Sequence, residues 1–334
     1  MTANYSFRHL LRLSDDRGLF EHAEFGAART EHGYCVDDVA RGLVAIARER
    51  QPLPELKVQA HIYLRFLVAA QTRDGRSRNR MNAAGRWTDQ PGLEDCWGRS
   101  LWALGSAAAR MPALQDAALA AFNRGAKRRS PELHAMCFAG LGAAEVLAVD
   151  ATNTMARQLL RSAAKAIAIP GNNTQWPWPE TRLRYANAAI PQVLLLAGQL
   201  LDESRWLQAG LSMLRWLVDI ETRDGHISVT PVGGWALGEP RPGFDQQPIE
   251  VATLADACRT AFDITNDVRW LHTIEACAAW FDGDNDVRIP MTDDAHSVGF
   301  DGLHAAGRNQ NRGAESTLAM LSTFQQLQRI PVAS

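Results

Sequence analysis

The chain has 334 residues, of which 46% are hydrophobic and 22% charged, and a formal net charge of −2. That is ample material for a large core, and nothing in the near-neutral balance argues for nucleic acid or an anionic membrane as partner, since both need a clustered basic face. No run of 18 apolar residues occurs and Met1 to Leu11 contain no apolar signal core, so a protein of the cytoplasm is expected. The five cysteines (Cys35, Cys96, Cys137, Cys258 and Cys277) are odd in number and lack a CxxC pair. Free thiols in a reducing compartment are expected rather than disulfides or a metal site.

In chain order, a short helix is predicted over Tyr5 to Leu13, ending at Ser14-Asp15-Asp16-Arg17-Gly18. After a loop, Val39, Leu43, Val44, Ile46 and Ala47 recur at helical spacing over 37–49. A helix over 55–71 carries Val58, Ile62, Tyr63, Phe66, Leu67 and Ala70, and Thr72-Arg73-Asp74-Gly75 turns the chain. A polar loop leads to a helix from Glu94 to about 109, and another helix follows Pro112. Ser130 as cap and Pro131 as first residue predict the next start. A helix over 152–167 precedes a rigid loop over 170–185, which carries Trp176-Pro177-Trp178-Pro179-Glu180. Helices follow over 186–201 and 203–222, the latter ending in a second Thr-Arg-Asp-Gly turn at Thr222 to Gly225. The loop to Pro248 has one strand-like run, Ile227 to Thr230. Helices over 247–264 and 267–281, a long loop over 282–313 and a helix over 314–327 complete the chain.

These twelve helices alternate in character. Those starting near 37, 95, 132, 187, 250 and 315 follow polar loops and are apolar on all sides, so they are expected to be buried. Their partners carry a charged face and are expected outside. Six inner and six outer helices predict an all-α fold, an (α/α)6 barrel, with strand confined to short loop segments. No linker divides it, so residues 1–334 read as one domain. An open solenoid would favour repeats of fixed length, and the spacing here is uneven.

If the inner helices run parallel, their starts and the long loops share one mouth. They bring Asp37, Asp38, Asp95, Glu250 and Glu315 there as candidate catalytic carboxylates. Paired carboxylates suit glycosidic acid–base chemistry, one protonating the leaving oxygen and the other activating water or attacking carbon. Asp38 and Glu250 are the expected pair, because Asp37 alone suffices to cap its helix. For substrate contact the candidates are Tyr34, Trp87, Trp176, Trp178, Glu180, Arg184, Asp245, Gln246, Gln247, Asp301, His304, Asn309 and Asn311. Aromatic rings beside hydrogen-bonding groups suit an oligosaccharide or glycoside. For each acid the plain alternative is an ordinary helix-start carboxylate. No phosphate loop, dinucleotide fingerprint, HExxH or GxSxG occurs, so no cofactor or metal is expected. A sugar epimerase would need a histidine pair, for which His134 and His304 are the candidates. A non-catalytic glycan-binding module is the third reading. Oligomeric state is left open.

Three segments carry a resemblance. Ser14-Asp15-Asp16-Arg17-Gly18-Leu19-Phe20-Glu21-His22-Ala23, Gly33-Tyr34-Cys35-Val36-Asp37-Asp38-Val39-Ala40-Arg41 and Asn311-Arg312-Gly313-Ala314-Glu315-Ser316-Thr317-Leu318-Ala319 resemble a bacterial domain of the six-hairpin glycosidase-like superfamily. That domain is associated with glycosyltransferases and carbohydrate gene clusters, and the resemblance covers most of the chain. It implies the (α/α)6 barrel, sugar processing and a glycosyltransferase as partner. In that domain the second acid of the middle segment is often followed by Asn, where this chain has Val39.

Overall fold

The computed structural model describes residues 5–170, 175–293 and 295–330, so residues 171–174 of the predicted tryptophan loop lie outside the described part. Among the described residues there are twelve α-helices: α1 (Arg8–Arg12), α2 (Val36–Arg48), α3 (Pro54–Ala70), α4 (Asp95–Arg110), α5 (Gln115–Gly125), α6 (Leu133–Val149), α7 (Thr154–Ala166), α8 (Ala189–Leu200), α9 (Ser204–Ile220), α10 (Pro248–Thr265), α11 (Arg269–Phe281) and α12 (Ala314–Gln328). Strand is limited, among the described residues, to two-residue antiparallel pairs. No helix there is long and apolar enough to cross a membrane.

The even-numbered helices form a closed inner ring. Each touches the next, from α2 through α4, α6, α8 and α10 to α12, and α12 returns to α2. The odd-numbered helices lie outside, each on its hairpin partner, and α1 completes the outer layer against α12. This is the predicted (α/α)6 barrel. The reason is visible in burial: α4 is buried from Cys96 to Ala108, whereas α7 buries only one stripe, Ala156, Leu159, Leu160, Ala163 and Ala164.

Inner helices approach closely where side chains are absent. A Cβ on Gly98 would stand 2.2 Å from the Ala135 carbonyl, and one on Gly105 would stand 2.2 Å from that of Gly142. Seven residues along α4 thus match seven along α6 in the same direction, so the two helices run parallel. At the C-terminal end of the ring, Arg48 clamps Asp256 with two hydrogen bonds of 3.0 and 2.9 Å. Ser322 and Gln326 also donate to that carboxylate, so the buried charge is fully compensated.

The structure corrects several local expectations. Ser130 does not cap a helix that starts at Pro131. Its hydroxyl accepts from the Glu132 N–H, and α6 starts at Leu133. The helix predicted from 186 begins at Ala189, because Ala186 is left-handed, with φ of 46°. Helix α9 ends at Ile220, so the predicted end at Thr222 is too late. Thr222–Arg223 instead pairs with His226–Ile227 around Asp224-Gly225, both at positive φ. The strand-like run from Ile227 therefore contributes only its first residue to a strand.

Candidate active site

Asp37 and Asp38 do not cap α2. Cys35 holds the cap position without a side-chain bond, and both acids fall in the first helical turn. Their side chains diverge. Asp38 is 2% exposed and accepts from Arg41 at 2.8 Å. Burial raises its pKa and Arg41 opposes that rise; with the guanidinium bonded directly to it, we read Asp38 as the ionised partner of Arg41. Asp37 instead faces a cavity of about 350 Å³ at the N-terminal mouth. Its Oδ2 accepts from Asn79 at 3.0 Å, and its Oδ1 lies 3.5 Å from the Arg99 Nε.

The cavity is walled by residues from four inner-helix starts and two loops. Asp37 and Arg41 come from α2, Asp95 and Arg99 from α4, Glu250 from α10 and Glu315 from α12. Arg184, Tyr185, Thr230, Val232 and Gln247 complete the wall with Ile249. The inner helices therefore do share one polar mouth. Of the residues predicted from sequence, Asp37, Asp95, Glu250, Glu315, Arg184 and Gln247 meet there, and Asp38 stands one layer behind, through Arg41.

Two of the carboxylates are driven apart in acidity. Glu250 is 3% exposed. Its Oε1 accepts from the Ala186 N–H, and its Oε2 accepts from the backbone and side-chain nitrogens of Asn187 at 3.2 and 3.1 Å. Burial, then the negative charge of Glu221, outweigh those donors and raise Glu250 to about 8. Glu315 behaves oppositely. Burial would raise it, but Arg41, bonded at 2.5 Å, and then Arg99 hold it below the usual carboxylate range. Asp95 is raised by burial, against Arg99 and a 2.7 Å hydrogen bond from the Tyr185 hydroxyl.

Buried Glu221 makes a stability prediction. It accepts from the Thr230 N–H, and burial raises it to about 7. A carboxylate with a raised folded pKa stays protonated after the unfolded chain has ionised, so the unfolded state binds fewer protons and stability falls as pH rises. Between the ordinary value of 4.5 and the folded values of about 7 and 8, Glu221 and Glu250 each contribute a slope of about −1.4 kcal/mol per pH unit. Thermal melts across this window should show a falling midpoint, with a shallower slope in Glu221→Gln. An unchanged slope in that variant would remove Glu221 from the account.

The remaining predicted contacts are elsewhere. Trp176 and Trp178 are 7% and 4% exposed and pack with Trp216 and Trp235 at centroid distances of 5.2 to 5.7 Å. Their faces are covered by each other, not offered to a sugar. Tyr34 is buried on Phe20 and donates to Asp15. Trp87 leans on Phe66, outside the cavity wall. Glu180 stands 3.8 Å from Arg184. Gln246 is fully buried between Trp280 and Asp286. Asp301 holds the Gly313 N–H before α12, Asn311 accepts from the Phe25 N–H, and Asn309 accepts from the Asn311 N–H. His304 pairs with Asp245 at 2.6 Å in the loops. His134 is buried with its ring 4.4 Å behind Tyr185. Neither histidine lines the cavity.

Two charged wall residues, Arg41 and Arg99, were absent from the sequence candidates, whereas Tyr185 was expected at this mouth as one of the polar helix starts. The arginines had a signal. Asp37-Arg41 and Asp95-Arg99 repeat one acid-to-arginine spacing of four, which puts both groups on one helix face. Tyr185 is 41% exposed, fixed by Asp95 at its hydroxyl and by His134 at its back. It offers the open aromatic face expected of the tryptophans. Among the described residues, the potential metal ligands Glu21, Cys35 and Asp38 converge within 4.8 Å. Both carboxylates already bind arginines, Arg80 and Arg41, and burial pushes the Cys35 thiol far up.

The architecture is an (α/α)6 barrel, a ring of six inner helices within six outer ones. In fold the chain is similar to a sugar epimerase from a ruminal bacterium, with a TM-score of 0.74 and 11% identity over 97% of this chain and 95% of that one. It is also similar to cellobiose 2-epimerase from Bacillus thermoamylovorans (0.70, 11%, 96% and 96%) and to the family 9 endoglucanase J30 (0.62, 13%, 93% and 74%). No protein-family model matches the chain, and no curated protein matches it in sequence. Identities this low speak for the fold alone.

Proposed function

We propose that the chain is a carbohydrate-active enzyme, a glycoside hydrolase, with Glu250 as general acid and Glu315 as the ionised partner. The observation that carries this reading is the opposed acidity of two carboxylates on neighbouring inner helices of one cavity. Asn187 occupies both lone pairs of Oε2 and Ala186 one of Oε1, so the last site on Oε1 carries the proton. That proton passes to the glycosidic oxygen as its bond to the anomeric carbon breaks. Glu315 takes a proton from the attacking water, or itself attacks that carbon. Tyr185 stacks against the sugar. Asp38 holds Arg41, and through it Glu315, as a positioning residue. The six-hairpin fold, shared with sugar-processing enzymes, supports a carbohydrate substrate.

A sugar epimerase is the second reading, favoured by the higher TM-scores of the epimerase structures. Against it, the expected histidines lie outside the cavity. Product analysis on a panel of oligosaccharides and aryl glycosides separates the readings. Hydrolysis creates a new reducing end for each bond cut, epimerisation conserves chain length, and binding without product indicates an accessory module.

A further inference from the structure

We infer that the sugar taken by this cavity carries an anionic group, a carboxylate or a phosphate ester, which docks on Arg99. The inference rests on the sugar-processing reading above and narrows its substrate class. Arg99 is 5% exposed, deep in the wall, yet its guanidinium makes no hydrogen bond among the described residues. Its nearest anion is Asp37, 3.5 Å from Nε and beyond good bonding distance, and the Asp37 Oδ1 has no hydrogen bond either. The Phe138 ring lies beneath the guanidinium, its centroid 3.9 Å from the guanidinium carbon. A buried cation normally has its donors filled, because desolvating it without partners is costly. Arg48, at the opposite mouth, shows the usual state, bonded to Asp256 through two nitrogens.

Arg41 is the contrast within the site. Its terminal nitrogens are taken by Glu315 and Asp38. Those of Arg99 remain for a ligand, and a flat fork of donors fits a carboxylate or phosphate in bidentate fashion. Arg184, 61% exposed, adds a third guanidinium at the rim. Glu250, protonated near neutral pH, adds no charge, and the ionised Glu315 in the same wall is already paired with Arg41.

Calorimetry on the full chain tests this with matched pairs: glucuronate against glucose, galacturonate against galactose, mannose 6-phosphate against mannose, and trigalacturonate against galactotriose. The acidic member of at least one pair should bind about tenfold more tightly, as charge-assisted bonds allow. The preference should shrink as salt is raised, and the arm that shows it tells carboxylate from phosphate. Arg99→Met should bring the acid-to-neutral ratio to about one, and Arg99→Lys should retain part of the preference. If Arg99→Met fails to fold, the wild-type ratio and its salt dependence still decide. Equal binding of acidic and neutral members would overturn the inference and leave the hydrolase reading standing. Failure of every sugar to bind would overturn both.

Discussion

Glu315→Gln is expected to lower turnover by about 10²- to 10⁴-fold, the usual worth of a positioned acid–base group, with thermal unfolding nearly unchanged. Glu315 stands in the first turn of α12, and its side chain keeps 42% of its surface open. Its one hydrogen bond is to Arg41, which retains Asp38 as a partner when the charge is removed. The amide keeps shape and loses basicity, so the loss should fall on kcat. Glu250→Gln should also remove activity, but with a lower melting temperature. The amide cannot accept at both ends from Ala186 and Asn187, so the turn into α8 loosens. Comparing the two variants separates chemistry from scaffolding. Undiminished turnover in Glu315→Gln would exclude it from the reaction.

The largest effect on stability is expected at Gly142→Ala, a loss of roughly 3 kcal/mol or more, at the upper end for overpacking. An added Cβ would meet the Leu101 carbonyl at 2.2 Å and its carbon at 2.6 Å. These are backbone atoms of α4, which no rotamer change can move aside. Helix propensity works the other way, since alanine is favoured over glycine by about 1 kcal/mol in a helix interior, and the clash outweighs it. Gly225→Ala is the control. Its φ is 86° but nothing lies within 4 Å, so only backbone strain of about 1 kcal/mol is expected. Equal melting temperatures for the two variants would refute the close α4–α6 approach.

The barrel was legible because the two helix types differ in composition. Helices buried on every side need no polar face, and the alternation of such helices with amphipathic ones leaves a ring as the economical packing. The uneven spacing of hairpins reflects the long loops that precede the inner helices. Ends were off by one to three residues where turn geometry decided them, as at Ala186 and Ser130. The shared mouth was legible for the same reason, and it placed Asp37, Asp95, Glu250 and Glu315 together.

Side-chain direction was not legible. Asp37 and Asp38 are adjacent, and only their angle around α2 sends one to the cavity and the other behind Arg41. Trp176 and Trp178 looked like sugar platforms because proline and polar residues flank them. Their covering rings, Trp216 and Trp235, come from α9 and the loop after it, some 40 to 60 positions on, and nothing local announces that. Tyr185 was placed at the mouth, but nothing local marks it as the aromatic platform, since its supports, Asp95 and His134, lie 90 and 51 positions earlier in the chain.

The bond between Arg41 and Glu315 joins positions 274 apart. It lies across the seam where α12 meets α2, the last gap in the ring to be closed along the chain. Loop-closure entropy makes such a contact among the slowest to form. Helix content and most of the apolar core can therefore be in place in a molecule that still lacks its proposed base and the clamp that holds it. On the proposed mechanism, activity would therefore depend on closure of that seam, because Arg41 reaches Glu315 only across it.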